Sequence, residues 1–222
     1  MVVVPLKFFD YYGGFEMLED IFIIDNFYDD PDYIRQMALD ASYLKFPDDA
    51  NFPGYESAQS FYAEDHRRKF KRLINRNLYI DQEEFVYGKF RFSPGNSKSQ
   101  SDMHIDTPTW AAMIYLTLDK DCRGGLGIYQ HKETGILHVP QTSEEFRSLG
   151  FENFEDMDRR LVYPDTKNNF AWKLIEFIPM KYNRLVLFKG SRYFHSITEK
   201  FGNEVNDSRL THSFFFNEAP NI

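Results

Sequence analysis

The sequence predicts a mainly β protein with helices attached, built as a sandwich or barrel. Three observations carry that expectation. About eight short segments rich in aromatic and β-branched residues alternate with Gly, Pro and Asn turns. Most of them lie within residues 85–216, after two stretches of helical period. The chain also holds 23 Phe and 14 Tyr among 222 residues, which suits strands and a walled pocket. No repeat, low-complexity tract or linker divides it. One domain over 1–222 is therefore expected, with a helical part at about 20–84, a core at about 85–216 and an insertion at about 140–170.

The elements follow in order. Residues Ile21-Phe22-Ile23-Ile24 read as a buried strand. Asp29-Asp30-Pro31 starts a helix, with Pro at a tolerated first-turn position. Tyr33, Ile34, Met37, Ala38 and Ala41 give it an apolar stripe. Phe46 to Gly54 is a loop placed to cover a site. Glu64 to Leu78 reads as a second helix with Phe70, Leu73, Ile74 and Leu78 on one side; its Arg67 to Arg72 basic run is a solvated face. Phe85 to Phe92 alternates like a half-buried strand and stops at Ser93-Pro94-Gly95. Trp110 to Leu118 is a long buried strand, and Gly124-Gly125 turns into another at 126–131. Short helices fill 140–170, where Thr142 and Glu145 have capping-box spacing. Strands at 172–178, 184–188, 193–197 and 209–216 complete the set.

The bulk chemistry excludes several classes. A net charge of −8 and a pI near 5.3 argue against a nucleic-acid backbone binder. A single cysteine, Cys122 in a turn, allows no internal disulfide or thiolate cluster. Residues Met1 to Pro5 are too short for a leader's apolar region, and no apolar run reaches membrane-spanning length. A cytoplasmic protein with no membrane or nucleic-acid partner is expected.

The chemistry centres on Ser101-Asp102-Met103-His104-Ile105-Asp106-Thr107. In an extended chain, residues two apart point the same way. His104 and Asp106 can therefore address one metal, and Asp102 shares that face as a candidate outer partner. With a second imidazole, such a set suits non-haem Fe(II), and zinc could use the same ligands. Among the remaining histidines, His66 sits in the basic run and His138 in a loop before Pro140. His212 is out of phase with Arg209 and Thr211, so it faces away from them. His131 and His195 remain open; His131 follows Gly127 and Tyr129 by twos and is carried as a pocket residue.

The series His104-x-Asp106, Tyr115, Gly124-Gly125, His195 and Arg209-x-Thr211 resembles the Fe(II)/2-oxoglutarate-dependent dioxygenases, with a prolyl-hydroxylase-type core and a likeness to amino-acid hydroxylases and halogenases. The resemblance covers residues 85–216. It implies a double-stranded β-helix, jelly-roll or cupin-like, with the N-terminal helices packed on one sheet. It also implies His195 as third ligand, and Arg209, Thr211 and Tyr115 as the holders of 2-oxoglutarate. A guanidinium offers a carboxylate a fork of donors. Arg209 follows His195 by 14 residues, more than is usual in the family, and Gly202-Asn203 and Asn206-Asp207 supply a longer turn. The implied reaction consumes O2 and 2-oxoglutarate, with ascorbate as an accessory reductant, and hydroxylates an unactivated C–H bond. The carboxylate of Asp106 stands where the halogenases leave room for a halide.

The expected substrate is a small polar molecule, an amino acid; a peptidyl side chain is the alternative. Trp110, Tyr87, Tyr129, His131 and Arg91 are the candidate pocket residues. Two other classes compete: a non-catalytic binding module on the same β scaffold, and a zinc hydrolase, which leaves Arg209-x-Thr211 without a purpose.

Overall fold

The computed structural model describes residues 6–9 and 15–220. The N-terminal segment read above as too short for a leader, residues 1–5, lies outside them. Strands β1 (Leu6–Phe9) and β2 (Phe15–Leu18) pair as a hairpin. β3 (Ile21–Ile24) leads into α1 (Pro31–Asp40). The Asp30 side chain caps α1 by accepting from the Tyr33 N–H at 3.0 Å, and Pro31 occupies the first turn. Two short strands follow, β4 (Tyr43–Lys45) and β5 (Tyr55–Ser57), then α2 (Glu64–Ile74). α2 ends a turn earlier than expected, because Asn75 takes the left-handed conformation; Leu78 opens a two-residue strand, β6 (Leu78–Tyr79). The remaining strands are β7 (Tyr87–Ser93), β8 (Trp110–Tyr115), β9 (Gly125–His131), β10 (Trp172–Pro179), β11 (Leu185–Phe188), β12 (Phe194–Ile197) and β13 (Arg209–Glu218).

Besides the hairpin, the strands form two antiparallel sheets. The larger runs β3-β11-β8-β13-β7-β5-β4, with β6 added to β13; the smaller runs β10-β9-β12. Among the described residues the sheets do not close into a barrel. Strand alternation sorts the side chains of the large sheet. Trp110, Ala112, Ile114, Leu185, Leu187, Phe214 and Phe216 face α1 and α2, packing with Phe27, Ala38, Phe70 and Ile74. Ala111, Tyr115, Val186 and Phe188 point the other way, onto Leu126, Ile128 and Ile178 of the small sheet. The space between the sheets is thus one core. Tyr33, expected in the α1 stripe, is instead 62% exposed.

The segment 140–170 closes the outer face of the small sheet. It holds α3 (Ser143–Ser148), α4 (Phe154–Met157), a π-helical turn (Asp158–Val162) and α5 (Tyr163–Asp165). Thr142 caps α3 and Glu145 reaches back to it, completing the capping box. Phe146, Phe151, Met157 and Leu161 pack on Trp172 and Phe194. No helix among the described residues is long and apolar enough to cross a membrane.

Candidate metal centre

His104 and His195 lie 91 residues apart in sequence yet face each other across one antiparallel bridge. Each backbone N–H donates to the other's carbonyl, at 3.1 and 3.0 Å. The Asp106 N–H continues the pairing onto the Gly190 carbonyl at 3.1 Å. This local extension puts the His104, Asp106 and His195 side chains on one point; their candidate ligand atoms all lie within 4.8 Å of one another. The Asp106 carboxylate is 3.3 Å from His195 Nε2 and 3.7 Å from His104 Nε2.

The tautomers suit a cation. His104 Nδ1 donates to the Asp102 carbonyl at 3.0 Å, and His195 Nδ1 to the Tyr193 carbonyl at 2.8 Å. A carbonyl only accepts, so both protons sit on Nδ1 and both Nε2 lone pairs turn to the shared point. Asp106 Oδ2 is buried with no hydrogen-bond partner. A buried carboxylate oxygen without a donor is costly unless a cation meets it. Burial opposes it, but the adjacent Asp106 raises the His195 pKa, while burial and the neighbouring His195 push His104 down to about 4. Asp106 stays below the usual carboxylate range despite its burial, because His195, His104 and Arg91 surround it. The three residues fit one divalent metal on chemistry and geometry alike.

Asp102 does not share this point. Its carboxylate accepts from the Ser99 hydroxyl at 3.1 Å and lies 3.8 Å from Lys200 Nζ; only its carbonyl serves His104.

A cavity of about 740 Å3 opens beside the triad. Arg91, Arg209 and Thr211 line it, with Met113, Phe188, Ser213 and Phe215. Arg209 is 1% exposed. The guanidinium donates to the Met113 sulfur at 3.4 Å, and Nε has no partner among the described residues. The guanidinium lies 5.5 Å from the Tyr115 ring centre, and the buried Tyr115 hydroxyl is also unpartnered. Tyr115 therefore sits against Arg209 rather than on the cavity wall. Burial lowers the Arg209 pKa, offset only in part by the adjacent Tyr115. Thr211 bonds the Ser213 hydroxyl at 3.1 Å on the same face.

A family model described as a family of unknown function (DUF6445) matches residues 15–216. The chain belongs to that family. No curated protein matches the chain. The DUF6445 match spans every residue of the triad as well as Arg209 and Thr211.

Four expected pocket residues lie elsewhere in this DUF6445 chain. Trp110 points to the helices and donates Nε1 to Glu218 at 3.0 Å; it is five positions from Tyr115, so the two face opposite ways. Tyr87 also faces the helices, against Phe214. It shares parity with Arg91, but Gly88 at φ +79° opens a bulge, and the register slips so that Ser213 pairs Lys89 while Phe214 pairs Tyr87. On β9, Ile128 is the residue opposite His195, which turns Gly127, Tyr129 and His131 outward. Tyr129 packs under the 140–170 segment, and His131 bonds Thr134 and Asp165 beside Trp172. His212 faces away from Arg209 as expected, yet is buried: Nδ1 meets the Tyr28 hydroxyl at 2.7 Å, and the same hydroxyl meets His66 at 3.1 Å. His66 is thus part of the helix–sheet packing, not of the solvated face.

The sequence marks Gly190 only as part of a turn, not as a residue of the site. A Cβ there would lie 2.9 Å from both Asp106 Cβ and Cγ, and closer still to Oδ2, so the carboxylate needs glycine beneath it. The signal was present as the Gly190-Ser191 turn ahead of His195. Glu56 was also missed: it pairs with Arg91 at 2.6 Å, and nothing in its short strand marks it.

Proposed function

We propose that this chain is an Fe(II)- and 2-oxoglutarate-dependent oxygenase that hydroxylates an unactivated C–H bond. One observation carries the reading: Arg209 is a fully buried guanidinium without a carboxylate partner, in the wall of the cavity that adjoins the triad. An unpaired buried charge costs several kcal/mol, roughly, by continuum reasoning. It is kept where a ligand's charge completes it. Arg209 Nε is a donor without an acceptor, and the distal carboxylate of 2-oxoglutarate matches the guanidinium, with Tyr115 behind it.

Two imidazoles and one carboxylate on one face of a metal leave room for a chelating co-substrate and O2. Iron, when bound, supplies the coupling of 2-oxoglutarate decarboxylation to C–H oxidation. The residues of the chain do the rest. His104 and His195 present Nε2 in fixed tautomers, and Asp106 supplies the compensating charge. The Phe188 ring stands edge-on to His195, 4.9 Å between centres, and keeps that side dry. Arg209 orients the co-substrate. Two facing sheets with the ligands on their shared side support the double-stranded β-helix reading. Asp106 favours hydroxylation over halogenation, and a cytoplasmic setting with ascorbate as reductant suits Fe(II). The substrate in this reading is an amino acid, free or within a peptide.

The test is anaerobic addition of Fe(II) and 2-oxoglutarate. A weak visible charge-transfer band is expected, absent in Arg209→Ala and in His195→Ala, and succinate forms on admitting air. A well-folded wild type that gives neither band nor succinate overturns the reading. A metal-free binding module predicts instead that His104→Ala and Asp106→Ala bind ligands as the wild type does.

A further inference from the structure

One wall of the cavity comes from the helical run of residues 154–165. α4, the π turn and α5 follow each other without a break. Phe154, Asp158, Val162 and Tyr163 of this run line the cavity, followed by Thr166. Single π turns within helices are uncommon and recur at functional sites. The run is fastened to the metal-binding segment. The Thr166 hydroxyl donates to the Met103 carbonyl at 2.7 Å and accepts from the Asp102 N–H at 3.1 Å. The Met103 N–H donates to the Thr166 carbonyl at 3.0 Å. Asp158 is thereby tied to the segment that carries His104.

Accounting for charge singles Asp158 out. Of the cations lining the cavity, Arg91 is paired with Glu56 at 2.6 Å and Lys200 lies 3.8 Å from Asp102. Arg209 is taken by the co-substrate and Asp106 by the metal. The lining charges left over are both negative, Asp158 and Glu84, and of the two Glu84 is exposed while Asp158 is half-buried. Among the described residues the Asp158 carboxylate has no hydrogen bond or ion pair. The next two residues are arginines, yet both turn to Asp156, at 2.6 and 2.9 Å. Partial burial raises the Asp158 pKa, and no cation among the described residues stands near enough to offset it.

We infer that the cleft selects a substrate whose side chain bears an amine or guanidinium, which pairs with Asp158 on the π turn. The inference rests on the oxygenase reading for the assignment of Arg209, and it narrows the substrate to a basic amino acid, free or as a side chain in a peptide.

The experiment has two readouts on the full chain. Binding is measured by titration calorimetry on the Zn(II)-loaded protein with 2-oxoglutarate present. The probes are L-arginine and L-lysine, the neutral isosteres L-citrulline and L-norleucine, L-glutamate, and the tripeptide Gly-Arg-Gly. Basic probes should bind at least roughly tenfold more tightly than their isosteres, the scale of one charge-assisted hydrogen bond. Asp158→Asn, with an unchanged melting temperature, should erase that preference, and Asp158→Glu should keep it. Tighter binding by the tripeptide than by L-arginine assigns the peptide source; the reverse assigns the free amino acid. Equal binding of basic and neutral probes, no binding of basic probes at millimolar concentration, or a preference that survives Asp158→Asn overturns the inference. Succinate formation with Fe(II) is the second readout. A binding preference with no succinate in any arm overturns the oxygenase reading alone; succinate stimulated equally by neutral and basic probes overturns the inference alone.

Discussion

Gly190→Ala tests the metal centre without touching a ligand. The added methyl would sit 2.9 Å from Asp106 Cβ and Cγ, with Oδ2 nearer. Ordinary carbon contacts need about 3.5 Å or more, so the carboxylate must move by on the order of 1 Å. The backbone cannot give way easily, because the Asp106 N–H is held by the Gly190 carbonyl itself at 3.1 Å. The side chain must therefore rotate, and Oδ2 leaves the point addressed by the two Nε2 atoms. Misplacements of that size cost roughly 100-fold in well-ordered sites, and lost ligand support costs about 10–100-fold in metal affinity. The assay is anaerobic Co(II) titration followed by absorbance, with a thermal melt in chelator to establish that the apo fold survives. Affinity within twofold of wild type in Gly190→Ala would refute the reasoning, since it would mean Asp106 is not held against that glycine.

Three further outcomes are expected. Arg209→Met should abolish 2-oxoglutarate binding yet raise the stability of the ligand-free protein by about 1–4 kcal/mol, because it removes an uncompensated buried charge; urea denaturation measures this, and a destabilised variant contradicts it. His212 is pushed down to about 3 by burial and by neighbouring His66, whereas an unfolded histidine titrates near 6.5. Below pH 6.5 the unfolded chain takes up a proton that the folded chain refuses, so stability falls as pH drops from about 6.5 toward 3, by up to about 1.4 kcal/mol per unit. His212→Phe should flatten that slope between pH 7 and 5, and an unchanged slope counts against it. Trp110→Phe should cost about 1–3 kcal/mol by losing the hydrogen bond to Glu218 and leaving a gap, while Co(II) affinity stays within twofold; a large loss of affinity would contradict the placement of Trp110 on the helix side.

Much of this was legible because alternation within one strand is a local property. Arg209 and Thr211 share a face and His212 opposes them by counting alone. The same count separates Trp110 from Tyr115. Tyr87 could not be placed that way, because the bulge at Gly88 reverses parity and nothing but pairing with β13 reveals it. The facing of Tyr129 and His131 depends on which β9 residue lies opposite His195, a fact of register between segments. β4, β5 and β6 escaped notice because two- and three-residue strands are defined by their neighbours' hydrogen bonds, not by any pattern of their own.

The sequence by itself determined the mainly β character, the two N-terminal helices, the capped insertion and the pairing of His104 with Asp106. Those rest on periodicities and caps that span a few residues. Only the tertiary structure decided that His104 meets His195, that Gly190 makes room for Asp106, and that Arg209 is buried with no counter-ion. Each of these is a relation between distant segments. Its energy comes from hydrogen bonds, contacts and desolvation that exist only once the sheets have packed.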